Sequence, residues 1–366
     1  MRSIQVVNVR WFNATAWYGM YLSRLLRESG HEVLVLGLPG TLSARKGEEW
    51  GLPMRLLDLN TATPWGIASL HGKLKRLVRE FRPDVVNCHR GESYLLWGLI
   101  KKELGGFRLI RTRGDQRLPK ANLVNRWLHN DVSDAVITTN SPMTRHFRDV
   151  FKVPKNKLHQ ILGGVDTDTF HPDPAARTRI RAELGYGDGN FVVGLLGRFD
   201  RVKGQHELIR AVARLHAQGM KNIRLLLLGF DSATPESTVR GWITEHGIDS
   251  ITAITGKRPD IAACLNVLDL GVVASLWSET IARAALEIMA TGVPLISTDV
   301  GVMPDLLEPG ALFAAGDVDG LEQGIRAVAT EPGLAESLLE VQGRRMADLS
   351  GRDFLTQTLA VYEDAP

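Results

Sequence analysis

The sequence predicts an α/β protein of two domains, each a parallel sheet wound with helices, and three observations predict it. At 366 residues the chain is longer than one small core organises. Along its first half, short apolar or β-branched runs alternate with amphipathic stretches of helical length, the pattern of βαβ units covered on both faces. The alternation breaks at HPDPAARTRIRAELGYGDGN (171–190), rich in Pro, Gly and charge, and then starts again.

In the first half the strand-like runs are IQVVNV (4–9), EVLVLG (32–37), DVVNCH (84–89), FRLIRT (107–112), DAVITT (134–139) and LHQIL (158–162). Between them lie the helical patterns WYGMYLSRLLRESG, SLHGKLKRLVREF, ESYLLWGLIKKEL, LVNRWLHN and TRHFRDVF. In the second half FVVGLLG, IRLLLLG, SITAIT, LGVVAS and PLISTD read as strands, with helices starting near Gly204, Pro235, Pro259 and Thr280. The expected domains are 1–172 and 173–349, and the tail, 350–366, reads as an amphipathic helix that packs back on the first. Two sheets of this kind bind ligands beyond the C-terminal ends of their strands.

Composition narrows the function classes. An apolar fraction of 44% and a charged fraction of 23% are those of a soluble globular protein. No apolar run is long enough to span a bilayer, and MRSIQVVNVRWF has the character of a first strand rather than a leader. Two cysteines without the density of a disulfide scaffold fit a reducing cytoplasm, where the protein is expected. Cys88 and Cys264 stand alone, without metal spacing. Residues 1–170 carry 26 Lys and Arg against 15 Asp and Glu, whereas the remainder carries 18 against 26. The basic half points either to an anionic partner or to an acidic neighbouring domain. Nucleic acid is not an expected partner, because no zinc, RNA-sheet or homeodomain motif is present.

Three loops at strand ends carry chemistry. GLLGRFDRVKGQHELIRA (194–211) presents Arg198 and Lys203 ahead of a helix N-terminus, an anion site suited to a diphosphate. TGKRPDIAACL (255–265) offers Lys257 and Arg258. SETIARAALEIMATG (278–292) reads as one helix with Ser278 as N-cap, Glu279 in its first turn and Glu287 between Leu286 and Ile288. A carboxylate in such apolar company needs a hydrogen-bonding or cationic partner, either in the protein or in a ligand.

The order GRxxxxKG, TGxxxDI and E-x7-E, together with RESGHEV (27–33), RPDVVNCH (82–89) and LGGVDTDTFHP (162–172), resembles the retaining glycosyltransferases of family 4. That resemblance implies the GT-B fold, two Rossmann-like domains facing each other across a deep cleft. The first domain would bind the acceptor and the second the nucleotide-sugar. It implies that Arg198 and Lys203 neutralise the donor diphosphate and that Glu287 bonds the ribose hydroxyls. Glu279 would contact the donor sugar, whose hydroxyls the N–H groups of Thr280, Ile281 and Ala282 would reach, and Lys257 and Arg258 would flank the base. His89 falls where the family places a histidine facing the transferred sugar, or else is a satisfied histidine at a strand end. The donor would be a UDP- or GDP-sugar. No cofactor is implied and no metal is required, the protein's own cations meeting the leaving-group charge.

The chain also departs from that family's pattern. NVRWFNATAWYG has only Gly19 where two adjacent glycines are common, and Thr280-Ile281-Ala282 replaces Gly-Phe-Gly. IRTRGDQRLPK (110–120) brings Arg111, Arg113 and Arg117 around Asp115, either an anionic-acceptor site or a solvated loop. SLHGKLKRLVREF has Leu70, Leu74, Leu77, Val78 and Phe81 on one side and four basic residues on the rest, which either solvate it or touch anionic lipid on the inner membrane face. The expected function is transfer of a sugar to a saccharide or lipid-linked acceptor in cell-envelope glycan assembly, lipopolysaccharide-like. The alternatives are a transferase making a soluble glycoside or sugar phosphate, and a catalytically silent nucleotide-sugar-binding regulator.

Overall fold

The structure, a computed structural model, describes residues 1–364, so the last two residues of the expected tail helix lie outside the described residues. The chain forms two units: residues 1–163 joined by the segment from Gly351 onward, and Gly164–Ser350. The division falls at Gly163 rather than at 172. The intervening residues belong with the second unit, where Val165 N bonds Leu349 O and Asn266 Nδ2 bonds His171 O. The Pro- and Gly-rich stretch expected as a break contains the helix Pro174–Glu183, capped by Asp173 and latched by Arg177 and Arg181 to Asp269.

The first unit is a seven-stranded parallel sheet of β1 (Arg2–Val6), β2 (Glu32–Gly37), β3 (Met54–Leu56), β4 (Val85–Cys88), β5 (Arg108–Arg113), β6 (Ala135–Thr138) and β7 (Leu158–Gln160). Their spatial order is β3-β2-β1-β4-β5-β6-β7. Ile4 pairs in register with Leu34 on one side and Val86 on the other. These apolar strands are buried on both faces, as a parallel sheet covered by helices requires. The helix Ala14–Glu28 starts at Asn13, whose side chain accepts from Ala16 N. The helix Pro64–Phe81 turns Leu70, Leu74 and Leu77 inward at helical spacing and stops at Arg82, in the left-handed region. The helix Gly351–Glu363 completes the unit, with Phe354 and Tyr362 buried.

The second unit holds β8 (Phe191–Leu196), β9 (Ile223–Leu228), β10 (Thr252–Ile254), β11 (Leu270–Val273), β12 (Leu295–Thr298) and β13 (Leu312–Phe313), all parallel, in the order β10-β9-β8-β11-β12-β13. In each sheet the strand order reverses once. The reversal lies beside β1 and β4 in the first unit and beside β8 and β11 in the second, the places where doubly wound sheets open a crevice. No helix among the described residues is long and apolar enough to cross a membrane.

Candidate active site

In the second unit the loops after β8 and β11 meet at the reversal. After β8, Arg201–Lys203 form one tight turn, and Gly204, at φ 71°, hands the chain to the helix Gln205–Ala217. A Cβ on Gly204 would stand 1.9 Å from the carbonyl oxygen of Ala274, so only glycine allows this loop to lie on the end of β11. Leu276 N bonds Val202 O at 2.8 Å and locks the two loops together. The result sets Lys203 Nζ against the Glu279 carboxylate, which also accepts from Ser275 Oγ. Arg198 lies in the same loop but is turned onto Asp200, with Nη2 2.7 Å from Oδ2.

Glu279 is not in a helix. The helix expected to start at Ser278 starts at Arg283, and Ala282 precedes it at φ 51°, ψ 45°. Three contacts hold the earlier residues out of helical geometry. Glu279's side chain is committed to Lys203 and Ser275, its carbonyl accepts from Val302 N, and Gly301 packs against its peptide. Glu287 is buried one turn into the helix and accepts from Arg283 Nε at 2.5 Å. Burial pushes its carboxyl above the usual carboxylate range and the Arg283 guanidinium opposes that shift.

The other residues expected here divide. Lys257 reaches over the Phe230 ring, 4.6 Å from its centroid, beside the end of β9. Arg258 is bound instead to Asp260 and Glu183, with Nε 2.8 Å from Asp260 Oδ1, so it ties the loop after β10 to the helix Pro174–Glu183. Ile281 and Ala282 have buried side chains, and Thr280 lies in the loop they form. Sequence reading passed over Ser275, Asp200 and Gly301. It passed over Arg283 as well, although Arg283 stands four residues before Glu287 on one helix face, a spacing that discloses the pair.

In the first unit His89 follows β4 and is buried, its ring against Gly19, where a Cβ would approach it to 3.0 Å. Gly19 therefore lets the first helix close over the histidine. Gln5 donates through Nε2 to Ser3 and Tyr362, so its Oε1 accepts from His89 Nε2 at 3.0 Å. His89 Nδ1 has no partner among the described residues. Burial, and then Arg111, lower the imidazole to about 3, so it is neutral in ordinary buffers. Arg113 ends β5 and Asp115 follows it, 3.1 Å from Arg113 Nη1 and from Arg90 Nη1.

Comparison with known proteins agrees with this architecture. Residues 16–169 match the family described as Glycosyltransferase Family 4, and residues 176–342 match Glycosyl transferases group 1. The chain is 28% identical to the D-inositol 3-phosphate glycosyltransferase of Pseudarthrobacter chlorophenolicus over 63% of its own length and 57% of that protein's. It is 28% identical to the GDP-mannose-dependent alpha-(1-6)-phosphatidylinositol monomannoside mannosyltransferase of Mycolicibacterium smegmatis, over 75% of its length and 74% of that protein's. In structure it is similar to Anabaena Alr3699/HepE in complex with UDP, with a TM-score of 0.85 at 19% identity, covering 98% of each chain. With two parallel sheets of this topology and two family matches that leave only short stretches unmatched, the chain belongs to the group 1, family 4 glycosyltransferases of GT-B fold.

Proposed function

We propose that the chain is a retaining, metal-independent transferase that moves a sugar from a nucleotide diphosphate to a saccharide acceptor. The observation that carries this reading is the Lys203–Glu279 pair, set by Gly204 and Gly301 at the reversal of the second sheet. On donor binding Lys203 and Arg198 turn from Glu279 and Asp200 to the diphosphate, and Glu279 turns to the sugar hydroxyls. Glu287, steadied by Arg283, takes the ribose. As the bond from the anomeric carbon to the leaving phosphate oxygen breaks, the acceptor oxygen bonds to that carbon from the same face. The acceptor's hydroxyl proton passes to the departing phosphate oxygen. Lys203, Arg198 and the first N–H groups of the helix from Gln205 meet the charge that develops there.

The donor nucleotide is UDP or GDP, the two that appear in the names of the compared proteins. The acceptor is a saccharide of cell-envelope glycan assembly, lipid-linked. The basic balance of residues 1–170 supports this, as does the likeness to a transferase named for a phosphatidylinositol mannoside. The likeness to a transferase named for inositol 3-phosphate favours a second reading with a soluble acceptor.

Calorimetry with the nucleoside diphosphate alone tests the donor site. Glu287→Gln is expected to weaken that binding, while Glu279→Gln leaves it nearly unchanged and lowers transfer, since ribose contacts are uniform and sugar contacts change in the reaction. Equal loss in both would mean that ribose and sugar are misassigned. Lys203→Ala is expected to lower turnover at least about 100-fold. Activity should survive EDTA; loss restored by magnesium or manganese would refute metal independence.

A further inference from the structure

The loop after β5 departs from the family pattern, and in the folded first unit it lines a cavity of about 790 Å³ at the ends of β4 and β5. Its charged lining is Arg90, Arg113, Arg117 and Lys120 against Glu92 and Asp115. Behind it stands Arg111, 1% exposed, whose Nη1 donates to Cys88 O at 2.6 Å and also to Thr112 O. Arg111 Nη2 has no hydrogen-bond partner among the described residues. It lies 3.6 Å from Asp115 and 3.9 Å from where a Cβ on Gly91, in the cavity wall, would stand.

Three guanidinium groups therefore share one carboxylate, since Arg90 and Arg113 each stand 3.1 Å from Asp115. Glu92 serves Arg90, and no carboxylate among the described residues pairs with Arg117 or Lys120. A buried arginine is retained where planar donors must face an anion, because desolvating a guanidinium is costly unless its charge is met. Burial and the neighbouring Arg111 lower Arg113 to about 10, the signature of cationic charge under-compensated by the protein. A solvated loop would leave its cations outside. Here Arg111 is fixed under the floor and Arg113 is bonded to Arg117 O at 2.8 Å, so the forks are held before any ligand arrives.

We propose that this cavity is an acceptor subsite that binds a phosphate group carried by the saccharide acceptor. The cationic excess suits a dianion better than a single carboxylate. This rests on the reading of the chain as a transferase with a saccharide acceptor, and it adds the acceptor's chemical class. The phosphate belongs either to a soluble phosphorylated sugar or to a lipid-linked one; Leu118 in the lining and Leu123, 85% exposed, stand ready for the latter.

The test uses the full chain with UDP or GDP saturating the donor site, so that the second unit cannot take up the probe. Glucose 6-phosphate and glucose are titrated by calorimetry. Vesicles of phosphatidylcholine with or without phosphatidylinositol phosphate are compared by co-sedimentation. Glucose 6-phosphate or the phosphoinositide vesicle is expected to bind where its neutral counterpart does not, and Arg117→Gln or Lys120→Gln, both exposed positions, to weaken it at least tenfold. Binding of the soluble probe alone assigns a soluble acceptor, and binding of the vesicle alone assigns a lipid-linked one; both support the subsite. No binding in either arm, or binding indifferent to both substitutions, overturns it. Failure of the nucleoside diphosphate itself to bind would instead reject the donor site, and the two failures are read in separate titrations.

Discussion

Ala282 occupies the left-handed region, with φ 51° and ψ 45° and its side chain buried, immediately before the helix that carries Glu287. For an L-residue that conformation costs roughly 1–2 kcal/mol, which glycine largely avoids. Ala282→Gly is therefore expected to raise the unfolding free energy by up to about 1 kcal/mol, and Ala282→Val to lower it, since a branched Cβ is worse tolerated there. Denaturant unfolding of the three chains checks this, and equal midpoints would show that the backbone relaxes. Sequence reading singled out Lys203, Glu279 and Glu287 as candidates from their loops at strand ends and from the motif order that carries the resemblance. It placed Glu279 in a helix because Ser278 has the chemistry of an N-cap. What it lacked was the competing demand on Glu279 from Ser275, four residues earlier in the loop, and from Lys203, close in the fold and distant along the chain. His89 was read as either sugar-facing or satisfied. The structure buries it under Gly19 with Nε2 bonded and Nδ1 bare, which no local pattern discloses.

Loops after strands do the positioning at the level of elements, and glycines set how near they come. Gly301, at φ 65°, would carry a Cβ 1.8 Å from the carbonyl oxygen of Glu279. Gly301→Ala should displace the Glu279 loop, destabilise the chain by more than about 2 kcal/mol and lower donor hydrolysis at least tenfold. Gly310→Ala, with nothing within 4 Å, serves as the control. If the two variants unfold and turn over alike, the clamp on Glu279 has no role. The strands of both sheets were legible as apolar, β-branched runs, to within about two residues at most ends. β3 and β13 were not, being three and two residues long and too short to show a period. The segment 123–130 was legible as helix, but its continuation to Val132 and its widening to π geometry over Leu128–Val132 were not. There His129 sits among Tyr94, Phe147 and Phe151, so tertiary packing decides the geometry.

For the molecule as a whole, acid stability depends on two buried histidines of the first unit. Burial holds His89 and His129 at about 3, against an ordinary value of 6.5. Above pH 6.5 both are neutral folded or unfolded. Below it the unfolded chain takes up protons that the folded chain refuses, so stability falls by about 1.4 kcal/mol per pH unit per histidine until pH nears 3. Unfolding free energies measured from pH 7.5 to 4.5 should be flat and then decline, and His129→Phe should reduce the slope of the decline by about 1.4 kcal/mol per pH unit whatever it does to the intercept. The less buried His159, His206 and His216, also lowered by burial, keep their smaller share. An unchanged slope would reject the assignment. The two-domain plan and the returning tail helix were readable from the repeated alternation and the amphipathic end. The point of division was not, because bonds such as Val165 to Leu349 join residues far apart in sequence. That return has a consequence in time. Tyr362 supplies the hydroxyl that Gln5 and Asn87 bond, and Phe354 fills the space beside Tyr18 and Tyr21. At 5–20 residues per second a ribosome needs roughly 10–40 s to make the second unit, and only then does it reach the helix Gly351–Glu363. Throughout that interval the earliest-made strands lack the tyrosine hydroxyl that Gln5 and Asn87 share, and an apolar seam stands open beside them, so the half of the protein that is begun first is the half that is finished last.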